Sequence, residues 1–220
     1  MLNEIFYQKC LGCGLRSDNN SPVCIDCMQD IEKHPYACES CGYPSSLQVK
    51  ICGKCSSAIF RDRIFIPYKY QGPIKKLIKE IKFLYRASGR SILHELIDTN
   101  TLIGYDVITD VPSHFTRKIR RLKHPATDIA KSIASSTGAR YDVLLARVKK
   151  TEYQYKLKRR QRAFNVKGAF TIKTDVTGLK ILLVDDIITT GSTIEECSRT
   201  LKRSGASIVD VFALTGGSTK

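Results

Sequence analysis

The chain has 220 residues, enough for one medium domain and a small appendage, and its formal charge of +15 is uneven: residues 1–60 hold five Lys/Arg against six Asp/Glu, so the remainder carries +16. A basic domain of that kind points to a polyanionic partner such as nucleic acid. The opening residues MLNEIFYQKC contain an early Glu and no apolar export core, and no later run approaches membrane-spanning length, so the expectation is a cytoplasmic location without membrane insertion.

With no export signal, nine cysteines favour metal binding over disulfides. The first eight form four pairs: CLGC (Cys10, Cys13), CIDC (Cys24, Cys27), CESC (Cys38, Cys41) and CGKC (Cys52, Cys55). Two residues between thiolates let both sulfurs face one ion. The set repeats with a shift of 28 residues, and a glycine follows the first knuckle of each half (Gly14, Gly42), which marks a duplicated four-cysteine unit. The repeat predicts two closed, structural zinc sites, Cys10/Cys13/Cys24/Cys27 and Cys38/Cys41/Cys52/Cys55. Duplication of a self-contained unit favours this consecutive pairing, but equal gaps also suit an interleaved cross-brace. Iron–sulfur ligation is the weaker alternative, since redox clusters come with more varied spacing. The zinc-ribbon unit is expected over residues 1–58 and a second domain over 59–220. Cys197 stands apart as a packed thiol on the apolar face of a helix.

From Phe60 onward strands and helices alternate. RIFIPYKY (63–70) reads as a strand, ended by Gly72-Pro73. PIKKLIKEIKFLY (73–85) places Ile74, Leu77, Ile78, Ile81 and Leu84 on one helical face with lysines opposite. YDVITDVP (105–112) is a buried strand closed by Pro112, and ATDIAKSIASSTG (126–138) is a helix stopped by Gly138. KILLVDD (180–186), STIEECSRTLKRSG (192–205) and SIVDVFAL (207–214) then read as strand, helix and strand. This alternation predicts an α/β fold with a parallel, doubly wound sheet, binding its ligands outside the carboxyl ends of the strands.

Two basic segments interrupt the pattern. Arg117, Lys118, Arg120, Arg121 and Lys123 crowd seven residues without an acid, and RVKKTEYQYKLKRRQR (147–162) has eight basic residues against Glu152 alone. In the second, Tyr153 and Tyr155 alternate with Lys156, Lys158, Arg159, Arg160 and Arg162. Cations that follow phosphates and aromatic faces on which bases stack are what single-stranded nucleic acid needs. The arginines equally suit pyrophosphate, and the tyrosines equally suit a core. No element for reading duplex sequence is evident, so binding by these segments would be sequence-independent.

The stretch ILLVDDIITTGST (181–193) carries the most specific chemistry. Asp185 and Asp186 follow four apolar residues at a strand's carboxyl end. Behind them Ser192-Thr193-Ile194-Glu195 has the form of a capping box, so a helix is expected to start at Ser192. Its free N–H groups would face the Thr189–Ser192 turn, where Gly191 lets the backbone approach an anion. A sugar phosphate suits both demands: hydroxyls for the carboxylates, phosphate for the turn.

LLVDDIITTGST resembles the ribose-phosphate loop of type I phosphoribosyltransferases, which bind phosphoribosyl pyrophosphate (PRPP) with Mg2+. The resemblance implies that Asp185 and Asp186 hold the ribose 2′ and 3′ hydroxyls and that Thr189, Thr190, Gly191, Ser192 and Thr193 hold the 5′-phosphate. The whole chain resembles the ComF family of competence proteins, described as amidophosphoribosyltransferase-like. Paired CxxC knuckles precede the transferase fold, YKYQGPIKKLIKEIKF matches a tyrosine-rich strand and lysine-lined helix, and Gln154, Leu157, Arg162 and Asn165 fall in a Q-x-x-L…R-x-x-N-V signature. The loop after the VP strand end departs from the family: RLKHP (Arg121 to Pro125) stands where RGFNQ is usual, which counts against transferase catalysis. The resemblance implies a protein that handles single-stranded DNA during natural transformation, beside DNA-translocation machinery. An active phosphoribosyltransferase with an unknown acceptor is the alternative, and a zinc-ribbon adaptor the third.

Overall fold

The computed structural model of the chain describes residues 9–17, 21–55, 60–83, 88–112, 124–149 and 166–217. In chain order its elements are α1 (Ile25–Gln29), β1 (Tyr36–Ala37), β2 (Pro44–Ser45), β3 (Ile64–Phe65), β4 (Tyr68–Lys69), α2 (Gly72–Phe83), α3 (Ser88–Leu96), β5 (Val107–Asp110), α4 (Pro125–Thr137), β6 (Arg140–Tyr141), β7 (Leu145–Arg147), β8 (Phe170–Ile172), β9 (Lys180–Ile188), α5 (Ser192–Arg203) and β10 (Ile208–Gly216). The expected domain boundary at 58/59 lies outside the described residues.

The apolar run Ile181–Val184 explains the architecture. All four side chains are fully buried, and on a strand alternate residues face opposite sides, so two hydrophobic layers must cover them. Ile181 and Leu183 pack in one layer with Ile194, Cys197 and Leu201 of α5 and with Leu145 and Phe170 of the β7–β8 hairpin. Leu182 and Val184 pack in the other with Ile74 and Leu77 of α2, Ile92 and Leu93 of α3, and Ile129 and Ile133 of α4. Each such side chain contributes about 1.5–3 kcal/mol by leaving water. The main sheet runs β3-β10-β9-β5-β6 with every pairing parallel, and β4 continues the β3 edge against β10. The sheet is the parallel, doubly wound one expected.

Two expectations change in detail. RIFIPYKY is two short strands, β3 and β4, interrupted at Ile66-Pro67, because proline cannot donate to a ladder. The sequence also gave no sign of α3, β6 or the β7–β8 hairpin. Ile74, Leu77 and Ile78 are buried as the helical spacing required, while the side chains of Ile81 and Leu84 lie outside the described set.

The cysteine-rich unit covers the β3–β4 edge. Lys33 bridges Tyr68 in antiparallel fashion, His34 N–H donates to the Pro67 carbonyl at 2.9 Å, and Ile64 N–H donates to the Cys41 carbonyl at 2.8 Å. Its halves straddle the sheet: Cys10 and Cys27 join the α2–α3–α4 layer, Cys38 and Cys41 the α5 layer. The duplicated glycines consequently differ. Gly14 and Gly42 both have positive φ, but a Cβ on Gly42 would stand 2.2 Å from the Ile64 carbonyl oxygen, whereas nothing lies within 4 Å of one on Gly14. Gly14→Ala should therefore cost only the left-handed backbone penalty of about 1–2 kcal/mol. Gly42→Ala should cost clearly more and lower the thermal midpoint further, because a sheet backbone atom has to move. Thermal unfolding of the two variants side by side checks this.

Candidate functional site

The topology places a crevice. From β5 the chain passes through α4 to β6 on one side; from β9 it passes through α5 to β10 on the other, with α4 and α5 on opposite faces. β5 and β9 are neighbours, so their carboxyl ends bound the topological switch point where open α/β sheets bind ligands. Asp185 and Asp186 lie there, half-buried, but β9 runs on to Ile188, so both belong to the strand's last turn of residues rather than following it. Strand alternation sends them to opposite faces. Asp185 acts on Cys197 in the α5 layer, and Asp186 acts on Tyr70 in the other. A ligand touching both must lie across the sheet's end, in the crevice. The Asp185 Oδ1 also accepts the Asp186 N–H at 2.9 Å.

After β9 the chain bends at Thr189 and Thr190 and turns at Gly191, with φ of 79°. The Thr190 and Ser192 hydroxyls are 3.2 Å apart, and Glu195 N–H donates to the Gly191 carbonyl at 2.9 Å. Gly191 is thus the N-cap, which corrects the expected capping box at Ser192. Glu195 is one position too far along to fold back, and its carboxylate is engaged elsewhere: it is ion-paired with Arg61 and accepts the Phe60 N–H at 3.2 Å. The first-turn N–H groups of α5 have no acceptors within the helix and carry its positive dipole end, so Thr189, Thr190, Gly191, Ser192 and Thr193 form an anion-attracting turn beside the two carboxylates.

Tyr70, after β4, stands near Asp186; burial first and that carboxylate second push its hydroxyl up, and Lys75 lies 5.8 Å over its ring. On the β5 side, Asp110 is committed to structure. It accepts the Thr127 and Tyr141 hydroxyls at 2.7 Å each, tying the first turn of α4 to β6. His124 is the N-cap of α4 without a side-chain cap bond. Arg117 and Arg121, and the segment with Tyr153, Tyr155, Lys156, Lys158, Arg159, Arg160 and Arg162, lie outside the described residues. Their anchors are described. Residues 113–123 leave from Pro112, just beyond β5, and return at His124. Residues 150–165 connect β7 to β8, whose base closes through Val148 N–H to the Ala169 carbonyl at 2.9 Å and Gly168 N–H to Glu196 Oε1 at 2.6 Å. Glu196 belongs to the first half of α5, so both basic segments are rooted beside the crevice.

Residues 103–219 match the phosphoribosyl transferase domain. DNA utilization protein YhgH of Salmonella typhimurium is 30% identical over 202 residues, covering 87% of this chain and 89% of its own. The chain belongs to the ComF family. Competence protein F of Haemophilus influenzae is 28% identical over 228 residues, covering 97% and 99%. A more distant relative of this ComF-family chain is the hypoxanthine/guanine phosphoribosyltransferase of Methanohalophilus mahii, 24% identical over 152 residues, covering 65% and 78%.

The eight N-terminal cysteines gather as two consecutive sets, Cys10/Cys13/Cys24/Cys27 and Cys38/Cys41/Cys52/Cys55, with the sulfurs of each set within 4.8 Å of one another. The interleaved cross-brace is thereby set aside. Sulfurs about 2.3 Å from a tetrahedral zinc are about 3.8 Å apart. The contacts here are 3.9 Å for Cys13–Cys24, 3.7 Å for Cys38–Cys55 and Cys41–Cys52, and 3.8 Å for Cys52–Cys55. Backbone N–H groups of Gly12 and Cys24 donate to the Cys10 sulfur at 3.3 Å each, the knuckle pattern that favours thiolate. The residues fit closed, structural zinc centres. Cys197, fully buried and pushed well up by that burial, is the core thiol expected.

Sequence reasoning missed Tyr70, Arg61 and the true role of Glu195. The adjacent acids Glu195-Glu196 were a signal, since a capping box uses only one of them. The thiols themselves set a pH dependence. Burial pushes Cys10 and Cys38 up, but the N–H donors around them outweigh it and bring each down to about 6. Burial with neighbouring sulfurs pushes Cys41 up to about 12 and raises Cys27 as well. In the metal-free protein at pH 7 the raised thiols hold protons that zinc must displace. Elemental analysis should give two zinc per chain, and chelator competition should show affinity rising with pH, about tenfold per unit for each proton released.

Proposed function

We propose that this ComF-family chain handles single-stranded DNA in the cytoplasm during natural transformation, with the crevice between β5 and β9 kept as a PRPP-type ribose-phosphate pocket. The observation that carries this reading is the common root of both basic segments at the edge where Asp185, Asp186 and the Gly191 turn meet. Relatives named for competence and for DNA utilization support it, as does the +16 carried by residues beyond 60. Among the described residues no helix is long and apolar enough to cross a membrane. In the pocket Asp185 and Asp186 accept the ribose hydroxyls, the Thr189–Thr193 turn takes the 5′-phosphate, and Mg2+ accompanies the pyrophosphate of PRPP. DNA-translocation machinery is the protein partner that this role calls for.

A transferase is the second reading, favoured by the acid pair and phosphate turn standing together at the switch point. PRPP would lose pyrophosphate while a nucleophile attacks C1 of an oxocarbenium-like ribose, stabilised by Mg2+ and positioned cations. PRPP turnover across a panel of bases separates it from a pocket that only binds.

Replacing Asp185 and Asp186 together with alanine should abolish PRPP binding in calorimetry while changing thermal stability little, since both carboxylates are half-buried at a strand end. Undiminished affinity would remove the ribose-phosphate reading. For DNA, the logarithm of affinity should fall linearly with the logarithm of salt, by about 0.7 per phosphate contact of a single strand. Arg159→Ala with Arg160→Ala should flatten that slope by roughly one to two contacts, uniformly across sequences. Tyr153→Ala or Tyr155→Ala should instead cost about 1–3 kcal/mol per stacked base with the slope nearly unchanged. Equal, weak binding by wild type and the arginine variant at moderate salt would favour the transferase.

A further inference from the structure

One buried cation joins the second metal centre to the phosphate turn. The Arg61 side chain is 3% exposed. On one side its guanidinium lies in the field of the Cys41 and Cys52 sulfurs. On the other it is ion-paired with Glu195, whose second oxygen accepts the Phe60 N–H. Four thiolates around a zinc leave two net negative charges, so the filled centre and Glu195 share Arg61 as a counter-ion. A charge this buried persists only where it is paired, and here the pairing reaches from a metal knuckle to the first turn of α5.

What Arg61 prevents is as informative as what it holds. Glu195 stands in the first turn of α5, where helical side chains lean toward the helix's N-terminal end. At that end lie the N–H groups that an anion at the Gly191 turn would use. A free carboxylate so close would add negative charge beside those donors and repel a phosphate.

We propose that Arg61 is a positioning residue for anion binding: oriented by the second four-cysteine centre, it holds the Glu195 carboxylate away from the start of α5 and leaves that turn open to a phosphate. The inference rests on the ribose-phosphate reading of residues 189–193. It makes the second centre, and not the first, part of the pocket's supporting structure.

The test is calorimetry of the zinc-loaded full chain with PRPP and Mg2+, paired with the rate at which a chelator extracts zinc. Arg61→Met should weaken PRPP binding about tenfold. Adding Glu195→Gln to Arg61→Met should restore affinity to within about twofold of wild type, because the repelling carboxylate is gone. Both variants should release one of their two zinc ions faster than wild type, since the centre's counter-ion stays missing. A merely structural arginine predicts the opposite order, with the double variant no better than the single. Should Arg61→Met fail to fold, Cys52→Ser replaces it: it should weaken PRPP in the wild-type background and leave affinity unchanged in Glu195→Gln. Equal weakening in both backgrounds, or an Arg61→Met chain that binds PRPP normally, overturns the inference alone. A wild type that does not bind PRPP removes the pocket reading and the inference with it.

Discussion

The parallel pairing of β5 with β9 is the constraint on which the rest depends. Asp110 stands beside Val184 in that ladder, and Val111 N–H continues it to the Val184 carbonyl at 2.9 Å. Slipping the register by one residue would turn Ile181 and Leu183 toward α4 and Leu182 and Val184 toward α5, emptying both layers at once. The same register sets Asp185 and Asp186 level with the end of β5, where α4 and α5 diverge. The crevice is a consequence of how two hydrophobic layers are filled.

The cysteine-rich unit extends that constraint outward. A broken, two-part edge strand would offer its backbone groups to any passing chain. Lys33, His34 and Cys41 take those groups instead, and the two cysteine centres grip opposite faces of the sheet. A unit this small buries little by itself, and its two four-cysteine clusters fit the zinc ligation that would stiffen such an edge. The two halves of the duplication have consequently diverged in duty. The second lies against Ile64 and Arg61, within reach of α5.

Charge at the crevice is arranged in opposition. Two carboxylates at the end of β9 favour hydroxyls, the start of α5 favours an anion, and the basic segments rooted on either side favour a polyanion. The acidic groups nearby are nearly all spoken for: Asp110 by two hydroxyls, Glu196 by Gly168 N–H and Arg199, Glu195 by Arg61. Asp185 and Asp186 stand at the end of β9, beside the crevice.

Much of this was legible in the amino-acid sequence. Ile181–Val184 announced a central strand because four consecutive apolar residues suit only a strand buried on both faces. The CxxC pairs announced two four-cysteine clusters because thiolate spacing is local chemistry, and the acid pair followed by Thr-Thr-Gly-Ser placed a strand end and a helix start side by side for the same reason. Short strands such as Arg140–Tyr141 and Leu145–Arg147 were not legible, since two or three residues carry no period, and neither was the break at Pro67 as a place for Lys33 to dock. Glu195 has the capping-box spacing from Ser192, but the helix is capped one residue earlier, at Gly191, and the carboxylate pairs with Arg61, more than a hundred residues earlier in the chain. Sequence alone determined the layers, the cysteine sets and the loop, because each depends on neighbours along the chain. Which centre lies against which face, and which carboxylates are taken up in distant pairs, was decided only by tertiary structure, because a buried ion pair between distant residues leaves no periodic trace.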